Sequence, residues 1–239
     1  MAVISADAIV SITPVLIGAK PGFSGKAQGY LKTRRGNVNS DNYGGGLRVQ
    51  YDEAKKYVLW SEFNANYASA SGKAYSDNTF AHIRYIHKLL PKEVDWEAFI
   101  QLQTNQFTDI KKRVLQGGDI RWHFKNKKLG DLFFGAGGFF EHIIYTTPVN
   151  PTENNVRFSF YISYVKVLKK GSKFSYIGYY EPKANKLSDY LISNAAQLKV
   201  NIYKQLFLSF LVRYNIDSVP PIGIKQDDFS QTTSFIYQF

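Results

Sequence analysis

An all-β fold is predicted for this chain of 239 residues: an up-and-down antiparallel transmembrane β-barrel of about twelve strands. Three observations predict it. Apolar residues recur at every second position in most segments, which is the period of a strand with two unlike faces. The links between these segments alternate between short and longer stretches, as between the two rims of an outer-membrane barrel. The chain ends on the alternating aromatic run SFIYQF.

The barrel is expected to begin at residue 23 and to continue to the end of the chain. In chain order, the predicted strands cover residues 23–34, 41–52, 56–68, 75–87, 93–105, 113–125, 130–142, 155–168, 172–182, 187–200, 205–216 and 228–239. Residues 1–22 form a separate N-terminal segment, expected to be periplasmic, to plug the lumen or to be the remnant of an export signal. This segment has no basic start and Pro14 interrupts it, so it is neither a complete signal peptide nor a transmembrane helix.

The first four strands are supported by charged residues that alternate with apolar ones. Arg48, Glu62 and Arg84 fall on one parity of their segments, whereas the aromatic Tyr57 falls on the other. The fifth and sixth strands show the same period. In DWEAFIQLQTN the apolar residues from Trp96 onward alternate with acids and amides, and RVLQGGDIRWHFK repeats the pattern.

The seventh strand contains the glycine cluster of LFFGAGGFFEHI. Glycines inside strands relieve curvature or allow close packing, and no Gly-Lys-Ser/Thr follows them, so a phosphate-binding loop is disfavoured. The tenth segment, KLSDYLISNAAQLKV, also suits a helix capped by Ser188. A strand is preferred because β-branched and aromatic residues dominate on both sides.

The last two strands alternate over most of their length. QLFLSFLVRYN places Phe210 and Tyr214 on one face and Arg213 on the other, and DFSQTTSFIYQF places Phe235, Tyr237 and Phe239 opposite serine, threonine and glutamine. Short links such as KNKKLGD alternate with long ones such as IDSVPPIGIKQDD, and this predicts both chain ends at the short-turn rim.

The apolar face is expected to contact lipid. A soluble lipocalin-type barrel has the same period, but about eight strands already enclose a fillable interior. A twelve-stranded barrel with apolar residues inside would hold a large apolar void. The polar parity is therefore predicted to line the lumen, with charges of both signs at Arg48, Glu62, Arg84, Glu97, Asp119, Arg121, Glu141, Arg157, Asp189, Lys199 and Arg213.

Aromatic residues cluster near the strand ends on the outward parity. Tyr57, Trp96 and Trp122 lie toward the short turns, and Tyr190 and Tyr214 toward the other rim. Ordinary β-propensity is the alternative explanation. Two interfacial girdles are predicted because the aromatics concentrate at the ends.

The formal net charge of +11 implies attraction to anions. Lysines and arginines crowd both rims, with Lys173 assigned to a short turn and Arg113 and Lys183 to loops. These residues are expected to meet outer-membrane lipids and lipopolysaccharide phosphates. Nucleic acid is disfavoured as a partner because the basic residues form no single groove with stacking aromatics.

Several segments resemble the family of salt-induced outer-membrane proteins that carries domain of unknown function 481. They are RGNVNSDNYGGGLRVQY, IRYIHKLLPKEVDWEAFIQLQTNQF, LFFGAGGFFEHI and RYNIDSVPPIGIKQDDFSQTTSFIYQF. The most specific motif consists of Tyr214, Asn215, Pro220, Pro221, Gly223, Lys225 and Asp227, with Ile222 as a minor departure. The resemblance implies a barrel of the Gram-negative outer membrane. Phe235, Tyr237 and Phe239 look like the C-terminal signature that the barrel-assembly machinery recognises.

No catalytic, cofactor or metal site is predicted. The four histidines form no HExxH pattern, and His142 has outward parity whereas Ser159 and Ser163 have inward parity, which disfavours a lipid hydrolase. Asp95 and Glu97 face Arg84 and Arg121 on neighbouring predicted strands, so ion pairing is favoured over acid–base catalysis.

The favoured hypothesis is a narrow pore for small hydrophilic or anionic solutes, with Arg48, Arg84, Arg121, Arg157 and Arg213 setting its field. The alternative is a closed barrel with a structural or osmotic-stress role. A lipid-modifying enzyme ranks third.

Overall fold

The computed structural model describes residues 21–35, 40–54, 56–70, 73–89, 93–105, 109–126 and 128–239. The predicted N-terminal segment therefore lies almost entirely outside the described residues. The strands are β1 (Gly22–Arg35), β2 (Ser40–Glu53), β3 (Tyr57–Ala70), β4 (Lys73–Leu89), β5 (Val94–Asn105), β6 (Ile110–Asn126), β7 (Gly130–Tyr145), β8 (Glu153–Val167), β9 (Lys173–Lys183), β10 (Lys186–Tyr203), β11 (Leu206–Asp217) and β12 (Asp227–Gln238).

These strands form one closed antiparallel barrel in sequence order. Its seam joins β1 to β12 in a register that pairs Lys26 with Gln238 and Arg35 with Phe229. At the end of the seam, the Gly25 amide donates to the Phe239 carbonyl (2.9 Å) and the Phe239 amide donates to the Gly25 carbonyl (3.1 Å). The predicted fold class is confirmed, and β10 is a strand rather than a helix.

The links between strands differ in part from the prediction. Both ends of the barrel sequence lie at the rim of the short turns, here called the turn rim, as expected. At the opposite rim, here called the loop rim, only residues 71–72 separate β3 from β4 and only residues 184–185 separate β9 from β10. Antiparallel pairing continues into segments read as loops, because a ladder satisfies backbone groups whatever the side chains are. Long links remain at residues 146–152 and 218–226.

The two faces of the sheet differ in chemistry at adjacent positions. On β12 the outward Phe235 is 60% exposed, whereas the inward Ile236 is 2% exposed. On β11 the outward Phe210 alternates with the buried Ser209. The outer face is thus mainly apolar, as lipid contact requires. Within the described ranges, no helix is long and apolar enough to cross a membrane.

Close approach explains the glycine cluster of β7. A Cβ atom on Gly137 would lie 2.1 Å from the backbone oxygen of Gly118, and one on Gly135 would lie 1.9 Å from the Tyr161 ring. Both distances are far below van der Waals contact. A side chain at Gly137 would shift the backbone of β6, and one at Gly135 would displace the Tyr161 ring.

Candidate functional site: the barrel lumen

The charged residues predicted for the lumen lie on the inner face of the sheet, and most of their side chains are buried. They are Arg48, Glu62, Arg84, Glu97, Asp119, Arg121, Glu141, Arg157, Asp189, Lys199 and Arg213. Arg121, Lys199 and Arg213 are partly exposed, and the other charged side chains are buried. Lys199 and Arg213 mark the more open side of the lumen, and the ion-paired residues of β4 to β8 mark its filled side.

Glu97 of β5 is the centre of one buried network on the filled side. Its Oε2 atom lies 3.4 Å from Arg84 Nη1 and 3.9 Å from Arg121 Nη1. Its Oε1 atom accepts a hydrogen bond of 2.7 Å from the Tyr161 hydroxyl across the barrel. Arg121 also pairs with Asp95. A single carboxylate therefore ties β4, β6 and β8 together through the lumen.

A second network lies nearer the loop rim. Glu141 accepts hydrogen bonds from Arg113 and from Arg157 Nε (2.9 Å). Arg157 continues to Asp189, with Nη2 at 3.3 Å from Oδ1, and Lys183 Nζ lies 2.9 Å from Oδ2 of the same residue. This chain of alternating charges crosses from β6 to β10, and each cation in it has a carboxylate partner.

Aromatic rings contact the buried arginines of β2 and β4. The Arg48 guanidinium carbon lies 3.9 Å from the centroid of the Trp60 ring, and that of Arg84 lies 5.2 Å from the Phe99 centroid. His82 stacks on Trp60 at 4.7 Å and its Nδ1 lies 3.0 Å from Gln101 Oε1. Cation–π contact compensates part of the desolvation of these buried cations.

The lumen also contains an apolar layer, which sequence analysis did not anticipate. One cluster consists of Phe99, Leu115, Phe139, Tyr161, Ile177, Tyr179 and Ala195, and a smaller one of Val58, Trp60 and Ile86. Inward positions were predicted to be polar and charge-paired, yet these clusters fill the central lumen. Twelve strands enclose more space than ion pairs alone occupy, and large side chains take up the remainder.

The open side of the lumen carries a group of cations, here called the basic arc: Lys26, Arg48, Lys173, Lys199 and Arg213. Lys26 is the direct cross-strand partner of Arg48, and Lys173 is that of Lys199. Glu62 is the nearby carboxylate, with its Oε2 atom 3.8 Å from Arg48 Nη1. Lys199 donates to Gln238 Oε1 at 2.9 Å.

A pocket that is open to solvent adjoins the basic arc. Its polar lining comprises Lys26, Gln28, Glu62, Ser175, Gln197 and Arg213. Two cations, two amides and a hydroxyl from four strands thus converge on one space with the Glu62 carboxylate of β3. Such a lining can donate several hydrogen bonds to an anion.

Sequence analysis missed Lys26 and misplaced three other basic residues. Lys173 lies on the inner face at the start of β9 instead of in a short turn. Arg113 and Lys183, expected in loops, lie within β6 and β9 and form the ion pairs described above. All three are near strand ends, where the boundary between turn and strand is the least certain feature of a sequence.

The histidines have structural partners, and the two serines lie on the opposite face from His142. His142 faces outward with its Nδ1 2.8 Å from Asn154 Oδ1, whereas Ser159 and Ser163 are buried on the inner face. His123 stacks on Phe133 at 4.1 Å. The described part of the chain contains no group of three or more His, Asp or Glu residues that could hold a metal ion.

The aromatic residues predicted for the girdles lie on the outer face near the strand ends. Trp96 is 40% and Trp122 is 39% exposed. Tyr57 stacks on Tyr85 with the ring centroids 5.4 Å apart, and Tyr190 lies 5.6 Å from the Tyr180 centroid. Tyr214 and the C-terminal Phe235, Tyr237 and Phe239 also face outward and are exposed.

The two longest links contact each other at the loop rim. Asp109 accepts hydrogen bonds from the Thr147 amide (2.8 Å), the Thr147 hydroxyl (2.6 Å) and Asn150 Nδ2 (2.7 Å). Asn150 Oδ1 in turn accepts from the Ile222 amide at 3.2 Å. This junction holds residues 146–152 and 218–226 together.

The amino-acid sequence matches one protein family over most of its length. Residues 29–239 match the family described as "Protein of unknown function, DUF481". The chain belongs to this family. A search of curated protein sequences found no match.

Solved barrels of the outer membrane have the same fold as this DUF481 chain. The NanC porin is 11% identical, with 89% of this chain and 100% of that chain covered and a TM-score of 0.59. An outer-membrane channel from Pseudomonas putida F1 is also 11% identical, with 96% and 100% covered and a TM-score of 0.59. The translocator domain of the autotransporter NalP from Neisseria meningitidis is 9% identical, with 94% and 91% covered and a TM-score of 0.55. The shared architecture is that of a transmembrane barrel.

Proposed function

We propose that this DUF481 protein is a barrel of the bacterial outer membrane whose lumen passes small anions along its open, basic side. One observation carries the proposal: Lys26 and Arg213 line the pocket of the lumen, whereas Glu97 and Glu141, the centres of the ion-paired networks, do not. Charged rings of one sign select ions of the other sign in narrow pores.

The ion pairs narrow the set of residues that could set the field of the lumen. Arg84, Arg121 and Arg157 contact carboxylates, so their charge is largely neutralised locally. Arg48 and Arg213 belong to the basic arc, which contains more cations than carboxylates. We therefore assign anion preference to the arc instead of to all the inward arginines.

Reversal potentials in planar lipid bilayers test this function. In a KCl gradient we expect the purified full chain to conduct with a preference for chloride. The double variant Lys26→Gln/Arg213→Gln should lose most of that preference, because it removes the two cations that line the pocket. Lys128→Gln is the control, because Lys128 lies in an exposed turn at the turn rim and does not line the pocket. This variant should retain the preference for chloride. Unchanged selectivity in the double variant, or the absence of any conductance, would contradict the proposal.

A closed barrel with a structural role is the second candidate. It is favoured by the buried networks of Glu97 and Glu141 and by the apolar layer, which fill much of the lumen. Full-length protein without conductance, combined with conductance after deletion of residues 1–22, would indicate an N-terminal plug. The absence of conductance in both the full-length and the truncated protein would favour the structural role.

The rims support an outer-membrane location within the same proposal. Exposed lysines at the loop rim, such as Lys111, Lys112 and Lys186, are positioned for lipopolysaccharide phosphates, and those at the turn rim, such as Lys128, Lys169 and Lys170, for phospholipid headgroups. The exposed aromatics of the last strand are the expected contact for the barrel-assembly machinery during biogenesis.

A further inference from the structure

We propose that the basic arc is a binding site for polyvalent oxyanions of the phosphate and pyrophosphate class. The inference rests on the proposed function for its role in passage, since a bound oxyanion would make transport saturable. Binding itself is a separate property of the pocket and can be measured without any current.

The first argument is the pairing of like charges. Lys26 faces Arg48 directly across the β1–β2 ladder, and Lys173 faces Lys199 across the β9–β10 ladder. Side chains of direct cross-strand partners are close neighbours, and like charges in these positions are destabilising. Two such pairs on the same part of the inner wall repel each other unless an anion lies between them.

The second argument is the lack of acceptors. Arg48 is 1% exposed, yet none of its three guanidinium nitrogens has a hydrogen-bond partner among the described residues. Its direct cross-strand partners on the two sides, Lys26 and Glu62, both line the pocket. Buried guanidinium groups are normally hydrogen-bonded, so this one is a donor suited to an oxyanion.

The third argument is the ratio of charges. Five cations form the arc, and the carboxylates near it are Glu62, paired with Arg48, and Asp131, which contacts His123 at 3.7 Å. A chloride ion would neutralise one cation at a time. An ion with two or more charges and several oxygens can bridge cations on different strands and accept from Gln28, Gln197 and Ser175 as well.

Titration calorimetry with pyrophosphate, on the full chain in detergent micelles, tests the site. We expect saturable binding with one ion per chain. Binding should weaken at least tenfold in Lys26→Gln/Arg213→Gln and remain unchanged in Lys128→Gln. Equal binding by all three proteins, or no binding by the wild type, would overturn the proposal. Folding of each variant is checked by its heat-dependent mobility on gels.

A second variant tests the site even if Lys26→Gln/Arg213→Gln does not fold. Lys199→Gln removes the repulsion with Lys173 and keeps a side chain that can bond to Gln238. Without pyrophosphate this variant should therefore denature at the same or a higher temperature than the wild type. With pyrophosphate it should gain less stability than the wild type does. An equal gain would count against the arc as the site.

The two proposals fail separately. Pyrophosphate binding without conductance would retain the anion site and exclude the pore. Chloride conductance without pyrophosphate binding, and without block of the current by pyrophosphate, would retain the pore and exclude the site.

Discussion

At the scale of single residues, the lumen depends on carboxylates that each serve several partners. Glu97 meets two arginines and a tyrosine from three other strands. A buried ion pair is not necessarily more stable than apolar packing, but removal of one partner leaves an uncompensated charge. The carboxylates are thus more sensitive to substitution than the apolar residues of the outer face.

The substitution Glu97→Gln should destabilise the barrel by about 3 kcal/mol, because Arg84 and Arg121 lose their shared negative charge in a buried site. Arg121 retains Asp95, which limits the loss. Urea unfolding in detergent micelles measures the difference. Glu93→Gln is the matched control: its partner Lys125 lies 3.6 Å away at an exposed turn. The control should change stability by less than about 1 kcal/mol. Similar losses of stability in both variants would show that the Glu97 network stabilises the barrel no more than an exposed ion pair does.

At the scale of elements, the strands could be predicted from the sequence but their partners could not. The period of two assigns Phe235 and Ser234 to opposite faces, whatever strand lies next to them. Contacts such as the hydrogen bond from Tyr161 to Glu97 depend on the register of every strand between β5 and β8. Lys26 and Lys173 were missed for a related reason, since they lie where strands begin and the pattern is shortest.

The final strand also closes the barrel, and its last residue has a specific contact. Phe239 exchanges two backbone hydrogen bonds with Gly25, and its ring atom Cζ lies 2.6 Å from the position of a Cβ at Gly25. Phe239→Ala should therefore slow assembly into proteoliposomes that contain purified barrel-assembly machinery. Phe229→Ala, at the other end of β12, should assemble at the normal rate. Pulse-chase measurement of the heat-modifiable form compares them. Equal assembly rates of the two variants would show that Phe239 is not part of the assembly signal.

At the scale of the whole molecule, the barrel is asymmetric in cross-section. Ion pairs and aromatic rings are concentrated on β3 to β8 and continue onto β9 and β10. The basic arc with its pocket lies on the side that contains β9 to β11, β1 and β2. The filled side provides rigidity, because most of the charges there have a counter-charge on another strand. The open side contains more cations than carboxylates. Both anion passage and oxyanion binding depend on this excess of positive charge.

The assignment of faces itself can be tested with the three tryptophans of the chain. Trp96 and Trp122 lie on the outer face, at 40% and 39% exposure, whereas Trp60 is 1% exposed inside the lumen. In bilayers of lipids brominated near the headgroup, we expect strong quenching of variants that retain only Trp96 or only Trp122, because these rings contact the acyl chains near the interface. The variant that retains only Trp60 should fluoresce as it does in unbrominated lipid, because the sheet separates the ring from the bilayer. Acrylamide in the aqueous phase serves as the control for access from the lumen. Quenching of Trp60 by brominated lipid, with Trp122 unaffected, would reverse inside and outside and remove the basis of the lumen site.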